Sequence, residues 1–299
     1  MKNNYPMILD GGLSFPIEKK GINLNSKLWT TELLISNQKI IKDVHLKYLK
    51  AGAQFITTCS YQASIKSLKN RGFNFEESKK IILKSITIAE EVKNIYKKKY
   101  TNKKKILIAA SIGSYGSYLS DGSEYKGNYD VNDKMIFDFH KSKIQILENS
   151  NADVLAFEAI PSYRETKIIS KILEDSKKKS WISFTCKNGL EISDGTLLAQ
   201  CCKYLKNHSN IFAIGVNCTS PKYISNLIKI LKNNCGEKKI IVYPNSGKKY
   251  DSINKNWIGK KNNSFDILLK EWIDLGVDII GGCCGIGPNQ IKKISKLIN

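Results

Sequence analysis

The amino-acid sequence predicts an α/β fold, a single (β/α)8 barrel, and three observations support this prediction. Eight short apolar, β-branched runs recur along the chain, each bounded by glycine, proline, asparagine or aspartate. Longer segments with helical spacing separate these runs, which is typical of a parallel sheet covered by helices. The length of 299 residues suits one such barrel, for which about 250 residues are typical.

The predicted strands and helices alternate along the whole chain. We place the strands at residues 7–10, 54–58, 106–111, 153–158, 181–185, 211–216, 240–244 and 277–282. The clearest amphipathic segments between them cover residues 37–52, 74–98, 133–150 and 225–233. No proline-, glycine- or serine-rich linker, repeat or low-complexity stretch interrupts this order. We therefore expect one domain over residues 1–299.

An open doubly wound sheet is the competing architecture. That fold would be expected to carry a glycine-rich phosphate-binding turn after an early strand. The turn after the first predicted strand reads DGGLS, which lacks the G-x-G-x-x-G spacing. The closed barrel is therefore the preferred prediction.

The chain is strongly basic, with a formal net charge of +21. The excess is almost entirely lysine, scattered through helices and turns, so we expect most of these side chains on solvated faces. Clustered basic residues are the footprint of nucleic-acid binding, but no recognition motif accompanies them here. We expect no specific nucleic-acid partner, although weak nonspecific binding to polyanions fits the charge.

Membrane insertion and secretion are not expected. No apolar run approaches the ~20 residues that a transmembrane helix needs, and the first residues contain no apolar stretch of signal-peptide length. A cytoplasmic location is the simplest prediction. The oligomeric state is left open by the sequence.

Three of the eight cysteines lie where predicted strands end. Cys218 follows the sixth strand, and Cys283 and Cys284 follow the eighth within the sequence GGCCG. The flanking glycines let the backbone turn sharply and present both sulfurs at one point. A catalytic zinc ion usually takes three protein ligands and leaves a fourth position open. These three thiols match that number, so we predict a Zn²⁺ site.

The other five cysteines are expected to pack in the core, because free cysteine is often buried as a small hydrophobic residue. They are Cys59, Cys186, Cys201, Cys202 and Cys235. Disulfides are not expected, since they concentrate in small secreted domains.

The active site of a (β/α)8 barrel lies at the carboxyl ends of its strands. The unusual residues of this chain fall there: Asp10, Gly11 and Gly12 after the first strand, and Glu158 at the end of the fourth. Taken alone, Asp10 could as well be a turn residue as a site residue, and Glu158 could as well form an ion pair at the end of its strand. Their shared position with the cysteines favours catalysis over packing.

A zinc ion held by three thiolates is a poor Lewis acid for hydrolysis, because the sulfurs donate much negative charge to it. It can, however, bind a substrate thiol and hold it as a thiolate at neutral pH. A free thiol, with a pKa near 8.5, is mostly protonated under those conditions. The site therefore predicts activation of a sulfur nucleophile toward an activated methyl or alkyl group.

Motifs along nearly the whole chain resemble the homocysteine S-methyltransferase family, most closely the members that use S-methylmethionine or S-adenosylmethionine. They are LDGG at 9–12, TTCSYQAS at 57–64, SIGSYGSYLSDGSEYKGNY at 111–129, FEAIP at 157–161, GVNCTSP at 215–221, YPNSGKKYD at 243–251 and GGCCG at 281–285. The cysteine motifs and the DGSEYKG segment are highly specific. The DGG turn alone is a weak signal.

The resemblance implies a (β/α)8 barrel with zinc on Cys218, Cys283 and Cys284 and with the homocysteine sulfur at the open position. It also implies that the homocysteine ammonium group meets Asp10 and Glu158, and that its carboxylate lies against main-chain amides near Gly11 and Gly12. The reaction would be an in-line displacement on a sulfonium methyl group that yields methionine. A sulfonium is already a good leaving group, so no histidine is expected to act as a catalyst.

The segment from Ser111 to Asp130 is predicted to form part of the donor site. Its carboxylates, Asp121 and Glu124, and its tyrosines, Tyr115, Tyr118, Tyr125 and Tyr129, could meet a sulfonium through charge and ring faces. The alternative is an ordinary surface loop. Asn217, Asn245 and Ser246 could orient groups around the metal or serve turns.

The chain departs from the family pattern at a few positions. Gly285 and Ile286 stand where many members carry arginine and a hydroxyl residue, Lys248 where glutamate is common, and Ser-Phe-Pro at 14–16 where Thr-Glu-Leu is common. These departures leave two alternatives open. One is the same reaction with betaine or a methylated folate as donor, and the other is a catalytically degraded barrel that binds zinc or polyanions.

Overall fold

The computed structural model describes residues 5–100, 104–251, 256–258 and 264–298. The described strands are β1 (Met7–Ile8), β2 (Phe55–Thr57), β3 (Leu107–Gly113), β4 (Val154–Ile160), β5 (Ser180–Phe184), β6 (Ile211–Asn217), β7 (Lys239–Tyr243), β8 (Lys249–Asp251), β9 (Asn256–Ile258) and β10 (Ile279–Ile280). Eight of them form one sheet in the order β1-β10-β7-β6-β5-β4-β3-β2. Strands β8 and β9 form a separate antiparallel pair.

The large sheet closes on itself to form a barrel. All of its ladders are parallel, and Leu9 pairs in parallel with Phe55 across the remaining gap between β1 and β2. The Gln54 amide donates to the Ile8 carbonyl at 2.7 Å, and the Asp10 amide donates to the Phe55 carbonyl at 3.2 Å. The (β/α)8 prediction is confirmed, and the open doubly wound sheet is excluded.

Helices alternate with the barrel strands. They are α1 (Ser14–Glu18), α2 (Glu32–Ser36), α3 (Gln38–Lys50), α4 (Ile65–Lys69), α5 (Phe75–Lys99), α6 (Tyr115–Leu119), α7 (Asp133–Glu148), α8 (Tyr163–Leu173), α9 (Leu198–Leu205), α10 (Pro221–Asn234), α11 (Ser264–Asp274) and α12 (Pro288–Ile298). The four clearest predicted amphipathic segments correspond to α3, α5, α7 and α10. Short 3-10 helices cover Trp29–Thr31 and Ser123–Tyr125.

Several long helices begin at side chains that cap their free amides. Asn74 and Glu77 form a reciprocal capping box at the start of α5, and Asn132 accepts a hydrogen bond from the Met135 amide at the start of α7. Pro221 occupies the first turn of α10, where no amide hydrogen is needed. These local signals fix where the helices begin and so fix the lengths of the loops that precede them.

The barrel interior is filled below the cavity by large side chains. Trp181 is fully buried, and its ring meets that of Phe55 edge to face at a centroid distance of 5.7 Å. The Trp181 indole donates to the Tyr243 hydroxyl at 3.2 Å, so its polar atom is satisfied. A second apolar layer lies between the sheet and the helices. A cavity lies at the end of the barrel where the strands terminate.

The structure adjusts the predicted strand limits where the chain turns into the cavity. Strand β4 continues to Ile160, past its predicted end, through a register shift between Phe157 and Ile160. Ala159 in this shift has a φ of 54°. Strands β1 and β10 are only two residues long in the ladder. Among the described residues, no helix is both long and apolar enough to span a bilayer.

Candidate active site

Three cysteine sulfurs meet at the mouth of the barrel. The Sγ atoms of Cys218 and Cys284 are 3.4 Å apart, and those of Cys283 and Cys284 are 3.9 Å apart. All three lie within 4.8 Å of one another. Thiolates bound at about 2.3 Å to a tetrahedral zinc ion would lie about 3.8 Å from each other. The arrangement therefore fits a metal ion without large movement.

Local backbone geometry turns the three sulfurs toward each other. Cys218, directly after β6, has a φ of 46°, which is uncommon for a residue with a side chain. The Cys283 amide donates to the Pro244 carbonyl at 2.8 Å, and the Ser246 amide donates to the Cys284 carbonyl at 2.9 Å. The turn after β10 is thereby tied to the loop after β7.

Gly285 closes this turn. Its φ is 76°, and a Cβ atom at this position would lie 2.4 Å from the Ser246 hydroxyl oxygen. A side chain there would be strained by both its backbone conformation and its contact. Glycine at this position, where many family members carry arginine, thus allows the loop after β7 to pack tightly against the cysteine turn.

The three thiols differ in how readily they lose a proton. Hydrogen bonds from Cys283 and Cys284 hold the pKa of Cys218 well below its usual range. The same contact with Cys218 raises the pKa of Cys283 and of Cys284. One sulfur of the cluster is therefore readily a thiolate, and a cation is needed to hold all three in that state.

Asn217 links the cluster to neighbouring strands. Its Oδ1 accepts hydrogen bonds from the Ala159 amide at 2.8 Å and from the Ser183 hydroxyl at 2.9 Å. This leaves the Nδ2 atom 3.9 Å from Cys283 Sγ. Asn245 donates to the Cys218 carbonyl at 3.0 Å. The Asn217 amide thus faces one thiol of the cluster, and Asn245 holds the backbone that carries another.

Two buried carboxylates line the same cavity as the cysteines. Asp10 accepts hydrogen bonds from the Thr57 amide at 2.9 Å and from the Thr57 hydroxyl at 2.8 Å. Glu158 accepts a hydrogen bond from the Ser111 hydroxyl. Burial raises the pKa of Asp10 well above its usual range, with a further contribution from Glu158. Burial raises the pKa of Glu158 to about 7. A cationic ligand group would offset the cost of both charges.

Gly11 and Gly12 permit a close approach of the first loop to the cysteine turn. A Cβ atom at Gly11 would lie 2.5 Å from the Ile286 carbonyl oxygen, and one at Gly12 would lie 2.6 Å from the Cys283 carbonyl oxygen. The Gly12 amide donates to the Ile286 carbonyl at 3.0 Å, so its hydrogen-bonding capacity is already used within the protein. The Gly11 amide donates to no backbone carbonyl in the described part of the chain. Of the two amides predicted to meet a carboxylate, Gly11 is the better placed.

The cavity has a volume of about 730 Å³ and extends from the cysteines toward the segment 111–130. Glu124 and Tyr125 line it, and the Tyr125 hydroxyl lies 3.4 Å from Cys218 Sγ. The Glu124 Oε2 atom is buried and has no hydrogen-bond partner among the described residues. Burial raises the pKa of Glu124 to about 7.

Asp121 does not join Glu124 in the cavity. Its side chain is exposed and accepts a hydrogen bond from the Ser123 amide at 2.9 Å, so it shapes the turn before the short 3-10 helix. It is absent from the residues that line the cavity. The predicted pair of donor-site carboxylates is therefore reduced to one, because the turn between Asp121 and Glu124 directs the two side chains to different sides.

The remaining tyrosines of this segment support it from behind. Tyr115, Tyr118 and Tyr129 pack in an aromatic group with Phe139. The buried Glu165 accepts hydrogen bonds from the Tyr115 amide at 2.6 Å and from the Tyr129 hydroxyl. Of the four tyrosines predicted for the donor site, only Tyr125 lines the cavity.

Trp29 and Tyr61 were given no role by the sequence, and both line the cavity. Their rings meet edge to face with centroids 6.1 Å apart. Trp29 has a φ of 47°, a conformation that costs free energy and often marks a functional position. Tyr61 lies in the specific motif TTCSYQAS, which could have signalled it. Trp29 lies far from any strand end, so no local pattern pointed to it.

None of the three histidines lines this cavity. His45 is fully buried, and burial lowers its pKa to about 4. His140 Nε2 lies 2.7 Å from the Glu165 carboxylate behind the cavity. These placements agree with the expectation that no histidine acts as a catalyst.

The fold and the site together define a barrel enzyme whose catalytic end carries a cluster of three thiols with the spacing of metal ligands. The sequence profile of the homocysteine S-methyltransferase family matches residues 7–298, and the chain belongs to that family. It is 41% identical to the homocysteine S-methyltransferase YbgG of Bacillus subtilis strain 168, covering 98% of this chain and 95% of the relative. It is 39% identical to homocysteine S-methyltransferase 2 of Arabidopsis thaliana, covering 98% of this chain and 93% of the relative.

A solved structure of the family shows the same architecture. The homocysteine methyltransferase MmuM from Escherichia coli, in its metallated form, superposes with a TM-score of 0.88 at 31% sequence identity. The match covers 98% of this chain and 96% of that chain. The resemblance inferred from the sequence motifs is thereby confirmed, and the protein is a methyltransferase that acts on homocysteine.

Proposed function

We propose that this enzyme transfers a methyl group from a sulfonium donor, S-methylmethionine or S-adenosylmethionine, to homocysteine with the help of a zinc ion. The observation that carries the proposal is the meeting of three cysteine sulfurs and two buried carboxylates in one cavity. The sulfurs suit a metal and a substrate thiol, and the carboxylates suit a substrate ammonium group.

The metal would be held by Cys218, Cys283 and Cys284. Three soft sulfur ligands at tetrahedral spacing favour zinc over the harder divalent cations. When bound, zinc supplies a site at which a thiol loses its proton at neutral pH. Asn217 supports Cys283, and the Tyr125 hydroxyl supports Cys218, through the contacts described above.

Asp10 and Glu158 bind the homocysteine ammonium group and so orient the substrate with its thiol toward the cysteines. Both carboxyl groups have a raised pKa because of burial, and the ammonium charge restores their ionised form. The Gly11 amide is available to the substrate carboxylate. The predicted catalytic and binding roles of these residues rest on this geometry.

The donor lies in the outer half of the cavity. Its positive sulfonium can face the rings of Trp29, Tyr61 and Tyr125. Within the segment 111–130, Glu124 is the only carboxylate that lines the cavity. The homocysteine thiolate attacks the methyl carbon in line with the bond to the donor sulfur. That bond breaks and leaves its electron pair on the donor sulfur, which becomes a neutral thioether. No proton has to be donated, in agreement with the absence of histidine from the cavity lining.

Betaine, with its quaternary ammonium group, remains a second donor candidate, because ring faces and Glu124 would also suit that cation. Lys248 lines the cavity and could pair with the carboxylate that betaine and S-methylmethionine share. A catalytically degraded barrel is a weaker alternative, since the three thiols and both buried carboxylates retain a geometry suited to the reaction.

A donor panel on zinc-loaded protein tests the proposal. Homocysteine is offered together with S-methylmethionine, S-adenosylmethionine, betaine or a methylated folate, and methionine formation is measured beside the zinc content. We expect the highest kcat/KM with one of the two sulfonium donors. Faster turnover with betaine or folate would replace the donor assignment. Protein that holds one zinc ion and converts homocysteine with no donor would overturn the proposed function.

A further inference from the structure

Lys143 is the only buried lysine in the part of the chain whose burial is described. It lies on α7, outside the barrel, and its side chain is 1% exposed. Lysine is almost never fully buried without partners. The sequence predicted most lysines on solvated faces, and Lys143 is an exception whose burial must be offset by its contacts.

The Lys143 ammonium group reaches the loop that follows β2. Its Nζ atom donates to the Ser60 carbonyl at 2.5 Å and to the Tyr61 carbonyl at 3.2 Å. The Tyr61 carbonyl also accepts a hydrogen bond from the Gly113 amide at 3.1 Å, and the Ser60 hydroxyl donates to the Ser111 carbonyl at 2.8 Å. Helix α7 and strand β3 thus hold together the loop that presents the Tyr61 ring to the cavity.

Two carbonyl groups do not by themselves require a charged donor, since a neutral side-chain amide with two N–H groups would satisfy them at a smaller cost of burial. The Lys143 charge is also connected to Glu158. Ser60, whose carbonyl accepts from Lys143, donates its hydroxyl to the Ser111 carbonyl, and the Ser111 hydroxyl donates to Glu158. Burial lowers the pKa of Lys143 to about 7, and Glu158 opposes this effect. Burial raises the pKa of Glu158, and the Lys143 charge opposes that effect in turn. A buried cation connected to Glu158 through Ser60 and Ser111 can stabilise the charge of that carboxylate, which a neutral side chain could not do.

We propose that Lys143 is a positioning residue of the substrate site, whose ammonium group fixes the Tyr61 loop and provides the positive charge that supports the anionic form of Glu158. The inference rests on the proposed function, because it takes Glu158 as the group that binds the homocysteine ammonium. Lys143 itself touches neither substrate. It acts through a loop on the donor side and through a carboxylate on the homocysteine side.

The test compares Lys143→Met with two controls. Lys143→Arg keeps the positive charge, and Lys134→Met removes an exposed lysine from the same helix, whose side chain is 80% exposed. Zinc-loaded proteins are titrated with homocysteine in a calorimeter, and kcat and both KM values are measured with the donor that the wild type uses best. Thermal unfolding and zinc content are recorded for each protein.

We expect Lys143→Met to bind zinc normally and to bind homocysteine roughly tenfold more weakly at pH 7, with a raised KM for both substrates. Lys134→Met should equal the wild type, and Lys143→Arg should recover at least part of the homocysteine affinity. A Lys143→Met protein that keeps the wild-type homocysteine affinity, or that does not fold, would overturn the inference, because either result leaves the ammonium group with a role in stability alone. A wild type that binds homocysteine but uses no donor would instead contradict the proposed function.

Discussion

The two halves of the cavity are built in different ways. The inner half, which we assign to homocysteine, consists of residues at strand ends: Asp10 after β1, Glu158 in β4, Cys218 after β6, and Cys283 and Cys284 after β10. The outer half, which we assign to the donor, is built from the segments around Trp29, Tyr61 and Glu124.

This difference separates a part of the cavity that is held by the barrel strands from a part that is held by contacts between loops. Hydrogen-bonded strands hold the inner residues, so small changes elsewhere do not move them. The outer residues depend on contacts such as that between Thr185 Oγ1 and the Glu124 carbonyl at 2.8 Å and that between Lys143 and Tyr61. Loops commonly carry the specificity of barrel enzymes while the strand ends carry the reaction.

The largest effect should follow from removing a sulfur of the inner half. Cys284→Ser is expected to lose bound zinc and to lower kcat/KM by more than roughly 100-fold, because the harder hydroxyl is a poor replacement for a thiolate ligand. Zinc content by elemental analysis and methionine formation measure the two losses. Cys186→Ser, which changes a half-buried thiol outside the cluster, is the control. A Cys284→Ser protein with full zinc content and full turnover would contradict the assignment of this residue.

The next largest effect should come from the inner carboxylate. Glu158→Gln is expected to raise the homocysteine KM roughly 30-fold or more, since a buried charge partner of the substrate ammonium is lost. The donor KM should change much less, because Glu158 lies in the homocysteine half. Steady-state kinetics with each substrate varied in turn separate the two constants. Equal increases in both KM values would break the proposed division of the cavity.

The same carboxylate predicts a pH dependence of binding. Burial raises the Glu158 pKa to about 7, so its charge is lost as the pH falls through that value. Methionine has the same ammonium group and no thiol that titrates, so calorimetry with this product reports on the carboxylates. We expect the affinity of the protein for methionine to rise from pH 6 to pH 8. Below pH 7 the rise should be up to about tenfold per pH unit. The rise should be smaller in Glu158→Gln, and a steep rise that persists in that variant would assign it to another group.

The smallest effects should lie in the outer half. Glu124→Gln is expected to raise the donor KM roughly tenfold, because the unpartnered carboxylate would no longer meet a cation. Asp121→Asn is the matched comparison, and we expect it to change the donor KM less than about twofold, since this exposed residue only shapes a turn. Donor saturation curves at fixed homocysteine measure both. A larger effect from Asp121→Asn than from Glu124→Gln would show that the outer half binds its cation elsewhere.

The inner half was predictable because the apolar runs that predict the strands also predict where those strands end. Once eight strands were assigned, the positions of Cys218, Cys284 and Glu158 at one face of the barrel followed from the parallel topology. The motif GGCCG added a local reason for two sulfurs to point the same way. Exact strand limits were less predictable, because the register shift near Ala159 depends on contacts with β5.

The outer half was predicted only in part, because most of its residues are neighbours in space and not in sequence. The sequence offered Asp121 and Glu124 as equivalent carboxylates, and the turn sends one to solvent and the other to the cavity. Trp29 reaches the site from a segment without a strand-end signal.

By itself, the sequence determined the barrel, the class of reaction and which three thiols meet at its mouth, because hydrophobic periodicity and short motifs are local properties of the chain. Only the tertiary structure decided which side chains complete the cavity and which lysine is buried. Those outcomes depend on packing between segments that are far apart in sequence, as in the contact between Lys143 and Ser60, and no local pattern encodes such distances.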